Sequence, residues 1–285
     1  MSVSEWKNSG KYMDYLGNQI FFKDEGKGEV ILLVHGFPTA SYDYNLIWKE
    51  LISKYRVITY DMIGFGFSDK PKSFEYSIMK QADLLESVLK NLGVQKVKIL
   101  THDYGVSVIQ EILARFLERK DYFQIENICF LNGGLFPETH KPRSIQKLLL
   151  SPIGFIISKL MNKKKFSKSF SEVFGKNSKP SQEELDEFWE LINYKDGKNL
   201  SHKHIQYMKE RKKFRERWVG ALQKSTIPIC IIYGPADPIS GIHMTERYEE
   251  LIPNPNIKLL NDSIGHYPQV EDPKAVLENY LSFIR

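Results

Sequence analysis

Val97-Lys98-Ile99-Leu100-Thr101-His102-Asp103-Tyr104-Gly105-Val106 runs from a strand-like segment straight into a helix-like one. The strand-like run 97–100 leaves little room for a loop before the helix-like stretch from Val106 to Leu117. A strand that turns directly into a helix needs a sharp turn. Small residues at the turn's edges let the two elements approach, and its central side chain is left exposed at the sheet's carboxyl edge. This is the geometry of the G-x-S-x-G elbow, with Asp103 where that pattern holds serine.

Working outward, similar runs recur on both sides. Segment 18–23 reads as an early strand, 30–34 as a strand buried on both faces, and 55–60 as a third. Helical spacing appears over 43–52 and over 77–92, the latter closed by Gly93. Strand patterns return at 125–131, at 227–233 and briefly at 257–260, with helices over 242–252 and 273–284. The alternation predicts an α/β protein with a mostly parallel central sheet and helices on both faces. His35, Asp61, Asp103 and Asn132 fall at the carboxyl ends of strands, where such sheets bind ligands.

Between 136 and 222 the strand pattern stops. Pro and Gly divide the segment into helical stretches at 144–150, 153–161, 181–192 and 203–222. Its charge differs too: residues 141–220 hold 19 Lys/Arg and 9 Asp/Glu, whereas the remainder holds 21 and 26. We expect an inserted helical lid over 136–222 on a core formed by 1–135 and 223–285.

Asp103, Asp237 and His266 each follow an expected strand. Nucleophilic catalysis needs an attacking group, a base and a group that orients the base, and the order nucleophile, acid, histidine is that of α/β hydrolases. Asp103 could instead cap the following helix, Asp237 could be a turn residue before Pro238 with Glu138 as the alternative acid, and His266 could be a loop histidine. The companion motif His35-Gly36-Phe37-Pro38 favours the catalytic reading. Its Gly allows the backbone to aim the Phe37 amide at the nucleophile, and the Tyr104 amide would be the second oxyanion donor.

An aspartate changes the reaction. Its carboxylate is ionised near neutrality and needs no base for its first attack. It can displace a leaving group at a saturated carbon, forming an ester. His266, held by Asp237, would then activate a water that attacks the Asp103 carbonyl carbon. Epoxides and alkyl halides both suit this route.

These motifs, with Asp61 to Pro71, resemble the aspartate-nucleophile branch of the α/β-hydrolase superfamily, which holds epoxide hydrolases and haloalkane dehalogenases. Residues 132–140, 211–222, 233–238 and 266–273 are most similar to the mesoderm-specific transcript family. The resemblance implies the α/β-hydrolase fold with a lid and a hydrolase needing no cofactor and no metal. An epoxide-hydrolase-like activity is expected, with a haloalkane dehalogenase as the first alternative and a non-catalytic relative that binds through its lid as the second. Tyr104 stands where the branch carries a halide-binding tryptophan, which weakens the dehalogenase reading. Tyr207 resembles one of two lid tyrosines that protonate an epoxide oxygen, and Tyr194 is the candidate for the other. His35 and Trp218 are expected beside the substrate with Tyr207. The implied substrate is a small apolar organic molecule, with water as co-substrate.

Other features bound the partners. Cys129 and Cys230 lie in apolar runs and read as reduced core thiols. The polar first ten residues show no secretory pattern, and a cytoplasmic location is expected. Residues 148–161 are apolar but too short to span a bilayer, and Lys163, Lys164, Lys165 and Lys168 follow them. Apolar surface beside basic residues suits peripheral membrane contact through the lid. The basic run 203–217 lacks a nucleic-acid motif, so no nucleic-acid partner is expected. His202 and His204 are too few for a metal site.

Overall fold

The central apolar runs, such as 30–34 and 229–233, become strands because each can bury both of its faces. In the computed structural model, which describes residues 1–119 and 122–285, the strands are β1 (Lys11–Tyr15), β2 (Asn18–Glu25), β3 (Val30–Val34), β4 (Arg56–Tyr60), β5 (Lys96–Thr101), β6 (Gln124–Phe130), β7 (Ile229–Tyr233) and β8 (Ile257–Leu259). They form one sheet in the order β1-β2-β4-β3-β5-β6-β7-β8. β2 is antiparallel to both of its neighbours, and every pairing from β4 to β8 is parallel.

Side chains alternate between two cores with the strand period of two. Leu32, Val34, Ile58, Ile99, Ile128 and Ile231 face one. Ile31, Leu33, Val57, Leu100, Cys129 and Ile232 face the other. Cys129 and Cys230 sit opposite each other in the β6–β7 register as buried, free thiols.

Before β7 the helices are α1 (Val3–Ser9), α2 (Asn45–Ile52), α3 (Ile78–Asn91), α4 (Tyr104–Glu118), α5 (Ser144–Leu150), α6 (Gly154–Lys159), α7 (Lys163–Ser171), α8 (Gln182–Asn193), α9 (Ser201–His204), α10 (Tyr207–Lys213) and α11 (Arg215–Lys224). After it come α12 (Ile242–Leu251), α13 (Pro268–Glu271) and α14 (Pro273–Ile284). Helices α3, α4, α11 and α12 cover the first core, through side chains such as Leu85, Ile109, Leu222 and Met244. Helices α1, α2 and α14 cover the second through Trp6, Trp48 and Val276. No helix among the described residues is long and apolar enough to cross a membrane.

The chain leaves the sheet after β6 and returns at β7, and α5–α11 lie in between. Phe166, Phe170, Phe174, Leu185 and Phe188 give this insertion a core of its own, which also takes in Ile239 and Tyr267. Two local differences from the sequence expectation have simple causes. The β1–β2 hairpin turns at Leu16 (φ 53°) and Gly17 (φ 77°); a leucine in the left-handed region hides a turn usually announced by Asn-Gly. The expected helix 203–222 is three helices, interrupted at Gln206 and Phe214 without a proline or glycine to mark the breaks.

Candidate active site

Parallel packing of β5 between β3 and β6 puts Asp103 at the centre of the sheet's carboxyl edge. The turn is tight. A side chain at position 105 would meet Thr101 Oγ1 at 2.6 Å and the His35 carbonyl at 2.7 Å, so only glycine lets α4 start so close to β3. Asp103 itself is held at φ 45° and ψ −103°. An L-residue in this region carries strain of about 1–3 kcal/mol, which the surrounding structure must hold.

Neighbouring groups hold it. The Asp103 amide donates to the Asn132 carbonyl (2.9 Å), and its own carbonyl accepts from Val106 (3.2 Å). Arg211, on α10 of the insertion, donates through Nη2 to the same carbonyl (3.0 Å) and through Nε to Ser107 Oγ (2.6 Å). Arg211 is buried and has no carboxylate partner among the described residues. Its guanidinium lies over the Tyr207 ring, 4.5 Å from the centroid.

The carboxylate faces two other segments. Phe37 donates its amide to Asp103 Oδ2 at 3.1 Å. Gly36 makes this approach possible, since a Cβ there would lie 2.8 Å from the Asp103 Cβ. His266 Nε2 lies 3.7 Å from Asp103 Oδ1, and its Nδ1 lies 2.7 Å from Asp237 Oδ2. The acid beside the histidine is therefore Asp237. Glu138 instead pairs with Arg215 and Arg247 at the surface. The Tyr104 amide opens α4 and donates to no acceptor among the described residues.

Electrostatics follow from this packing. Burial pushes Asp237 toward its neutral form. The charge and hydrogen bond of His266, together with donors from Ile239 (2.7 Å) and Asn132 (3.0 Å), overcome that and hold it well below the usual carboxylate range. Burial likewise opposes charge on His266, but Asp237, then Asp103 and Glu271, raise it to about 9. Its loop is secured from behind. His102 Nε2 donates to the His266 carbonyl at 2.7 Å, and burial with the nearby His266 charge lowers His102 to about 4. Glu271 accepts from the amides of Gly265 (2.8 Å) and Tyr267 (2.9 Å), and also from Gly175 (2.8 Å) and Ser178 in the insertion.

Asp103, His266, Phe37 and Tyr267 stand at a cavity of about 100 Å³. Its remaining wall is chiefly apolar and comes from the insertion, including Leu149, Met161, Phe166 and Phe170, with Arg143 and Lys198 among the few charged groups.

Three expected substrate contacts lie elsewhere. His35 is buried with Nε2 accepting the Met62 amide (3.0 Å) and Nδ1 donating to the Gly36 carbonyl (2.8 Å), so it braces the loop that carries Phe37. Trp218 packs α11 onto the core and donates its indole N–H to Glu111 (2.8 Å). Tyr207 is buried between Phe37 and Tyr104, behind the cavity wall. Tyr194 packs edge-on against Phe67, away from the cavity. The sequence reading gave no role to Asn132, His102, Arg211 or Glu271. Asn132 stood at a strand end and Glu271 and Arg211 in distinctive stretches, but a buried tie between distant segments leaves no periodic trace.

The alpha/beta hydrolase fold family matches residues 29–122, from β3 through the elbow and α4. The mesoderm-specific transcript homolog protein of Bos taurus is 45% identical over 297 residues, covering 99% of this chain and 88% of that protein. The chain belongs to the mesoderm-specific transcript family of α/β hydrolases. Solved structures agree on the fold of this family member. The Cif epoxide hydrolase from Acinetobacter nosocomialis superposes with a TM-score of 0.82 at 18% identity, covering 97% of this chain and 89% of its own. The haloalkane dehalogenase DbeA from Bradyrhizobium elkani gives 0.78 at 18% identity, covering 97% of both chains.

Proposed function

We propose that the chain hydrolyses an apolar epoxide through an alkyl ester on Asp103, with the insertion serving as the lid of the site. One observation carries the reading: the Asp103 carboxylate, the Phe37 amide and the Asp237-bound His266 meet at the base of an apolar cavity. An Asp103 oxygen attacks a ring carbon, the ring C–O bond breaks, and the alkoxide takes a proton from His266, which is charged at neutral pH. Neutralising Asp103 as an ester removes one of the charges that hold the imidazole protonated. His266 is then a free base for the second step. It takes a proton from a water that adds to the ester carbonyl carbon. The amides of Phe37 and Tyr104 bind the oxyanion, and collapse releases the diol and restores both groups.

A dehalogenase would need a donor for the departing halide. Tyr104 replaces the expected tryptophan, and its ring is turned into the core against Phe65 and Tyr207. The test is to incubate wild type and His266→Gln with a panel of epoxides and haloalkanes and to weigh the intact proteins. We expect diol from wild type and, from the variant, an adduct that maps to Asp103; it forms more slowly, because the alkoxide must then take its proton from water, and it persists, because no base activates the hydrolytic water. No product and no adduct across the panel would leave a binding protein; halide release would move the assignment to a dehalogenase.

A further inference from the structure

Helix α6 is turned inside out. It buries its small residues, Gly154 and Ser158, and exposes its large apolar ones. The orientation is fixed by contacts on the small face. The Ser158 hydroxyl accepts the His202 amide (3.0 Å), and a Cβ on Gly154 would lie 2.0 Å from the Leu149 carbonyl. Outward, Ile153, Phe155, Ile156 and Leu160 are 51%, 47%, 43% and 59% exposed, and Leu148 at the end of α5 is 45% exposed. Five of the twelve large apolar side chains that the described residues expose thus fall within residues 148–160. Burying apolar side chains is favourable in proportion to the area removed from water, so leaving five together in water has a substantial cost unless something covers them.

The charge around this face identifies the cover. Residues 141–171 contain eight Lys/Arg and no Asp or Glu. Arg143 pairs with Glu172 and Lys163 with Asp186. Lys147, Lys159, Lys164, Lys165 and Lys168 are exposed and reach no carboxylate among the described residues. An apolar ridge flanked along the chain by free ammonium groups fits a bilayer surface of anionic phospholipid. The ridge enters the acyl boundary and the lysines stay at the headgroups. A protein partner with an apolar groove would match the ridge but not the flanking lysines.

We infer that the α5–α6 face docks the molecule peripherally on an anionic bilayer. Leu149 and Met161, which border the ridge in sequence, line the cavity. Docking therefore sets the cavity wall against the membrane. The docking does not depend on the reaction at Asp103, so its test reads binding alone.

Flotation with vesicles of phosphatidylcholine, with and without phosphatidylserine, is the first measurement. Wild type should float with the anionic vesicles, bind them at least about tenfold more weakly in high salt, and ignore the neutral ones. Ile156→Glu and the triple Lys164→Glu, Lys165→Glu, Lys168→Glu variant should each lose at least about tenfold in binding, since each surface lysine contributes roughly fivefold. All these positions are exposed, and unchanged thermal melting would show that folding is intact. A second measurement places the contact. Both native cysteines are buried, so Phe155→Cys accepts an environment-sensitive fluorophore selectively, and its emission should shift to the blue on anionic vesicles. The same label on Leu117→Cys, at the end of α4 remote from the elbow, should not respond. Absence of flotation with the anionic vesicles overturns the proposal, as does a Leu117 label that shifts as much as the Phe155 label. Concentration-dependent self-association of wild type, abolished by Ile156→Glu, would assign the face to a second copy of the chain instead.

Discussion

Arg211 is a buried cation that pairs with no carboxylate among the described residues. Its two hydrogen bonds join the insertion to the carbonyl of Asp103 and to Ser107 one turn later. Removing a buried, unpaired guanidinium also removes its desolvation cost, so an apolar replacement of similar length should be tolerated in the fold. Arg211→Met should therefore lower stability by no more than about 2 kcal/mol, while the strained Asp103 turn loses a fixed contact. We expect ester formation on Asp103, followed by mass in a His266→Gln background, to slow by at least about tenfold. Equal rates with and without Arg211 would make it a structural residue only. Trp218 gives the opposite case. Trp218→Phe leaves the cavity untouched and takes one donor from Glu111, which keeps Arg115 and Arg217. It should cost about 1–2 kcal/mol in urea unfolding and leave activity unchanged. An activity loss without a stability loss would return Trp218 to the substrate site.

At the level of elements, Glu271 is where the insertion meets the histidine loop. One carboxylate accepts from Gly175 and Ser178 on one side and from Gly265 and Tyr267 on the other. Glu271→Ala would strand these partly buried donors and should cost roughly 2–4 kcal/mol. Hydrogen exchange should quicken at Gly175 and Gly265 together, whereas quickening at Gly175 alone would mean that the two segments are not coupled. None of this was legible beforehand, and the contrast with the strands explains why. A parallel strand buried on both faces is close to a continuous apolar run, so 30–34 announces itself, and 97–100 does so despite Lys98. Segment 163–171 buries only Phe166 and Phe170 among its lysines and serines, too narrow a stripe to read as a helix, yet it forms α7. Periodicity also gives no direction. Tyr207 and Trp218 have the spacing of buried helix positions, and only the structure shows that they face the core rather than the cavity. Asp103, Asp237 and His266 were readable because each ends a legible strand, whereas Glu271 and Arg211 act across 96 and 108 residues of chain.

Across the whole molecule, buried histidines set opposite limits on stability. Burial lowers His35, His102, His140 and His204, with His102 at about 4 and His140 at about 3. A histidine with a depressed folded pKa contributes stability above its unfolded value near 6.5 and loses it as pH falls toward the folded value. His266 runs the other way. Burial works against its charge, but Asp237 and Asp103 raise it to about 9. Its contribution is complete below pH 6.5 and is lost as pH rises through 9. Asp237 describes the same pair from the acid side, so the pair is counted once. At about 1.4 kcal/mol per pKa unit, the pair holds on the order of 3 kcal/mol over this interval. Stability should peak near pH 6.5 and decline on both sides. Urea midpoints measured from pH 4 to 9.5 should trace that dome. His266→Gln should start lower at pH 6.5 and lose the decline between pH 7 and 9.5, while an acid limb persists, because burial still lowers the four neutral histidines, and is shallower for loss of the His266 charge near His102 and His140. An alkaline limb as steep in the variant as in wild type would place the titrating group outside the Asp103–His266–Asp237 cluster and remove the charged resting state from which the proposed first step draws its proton.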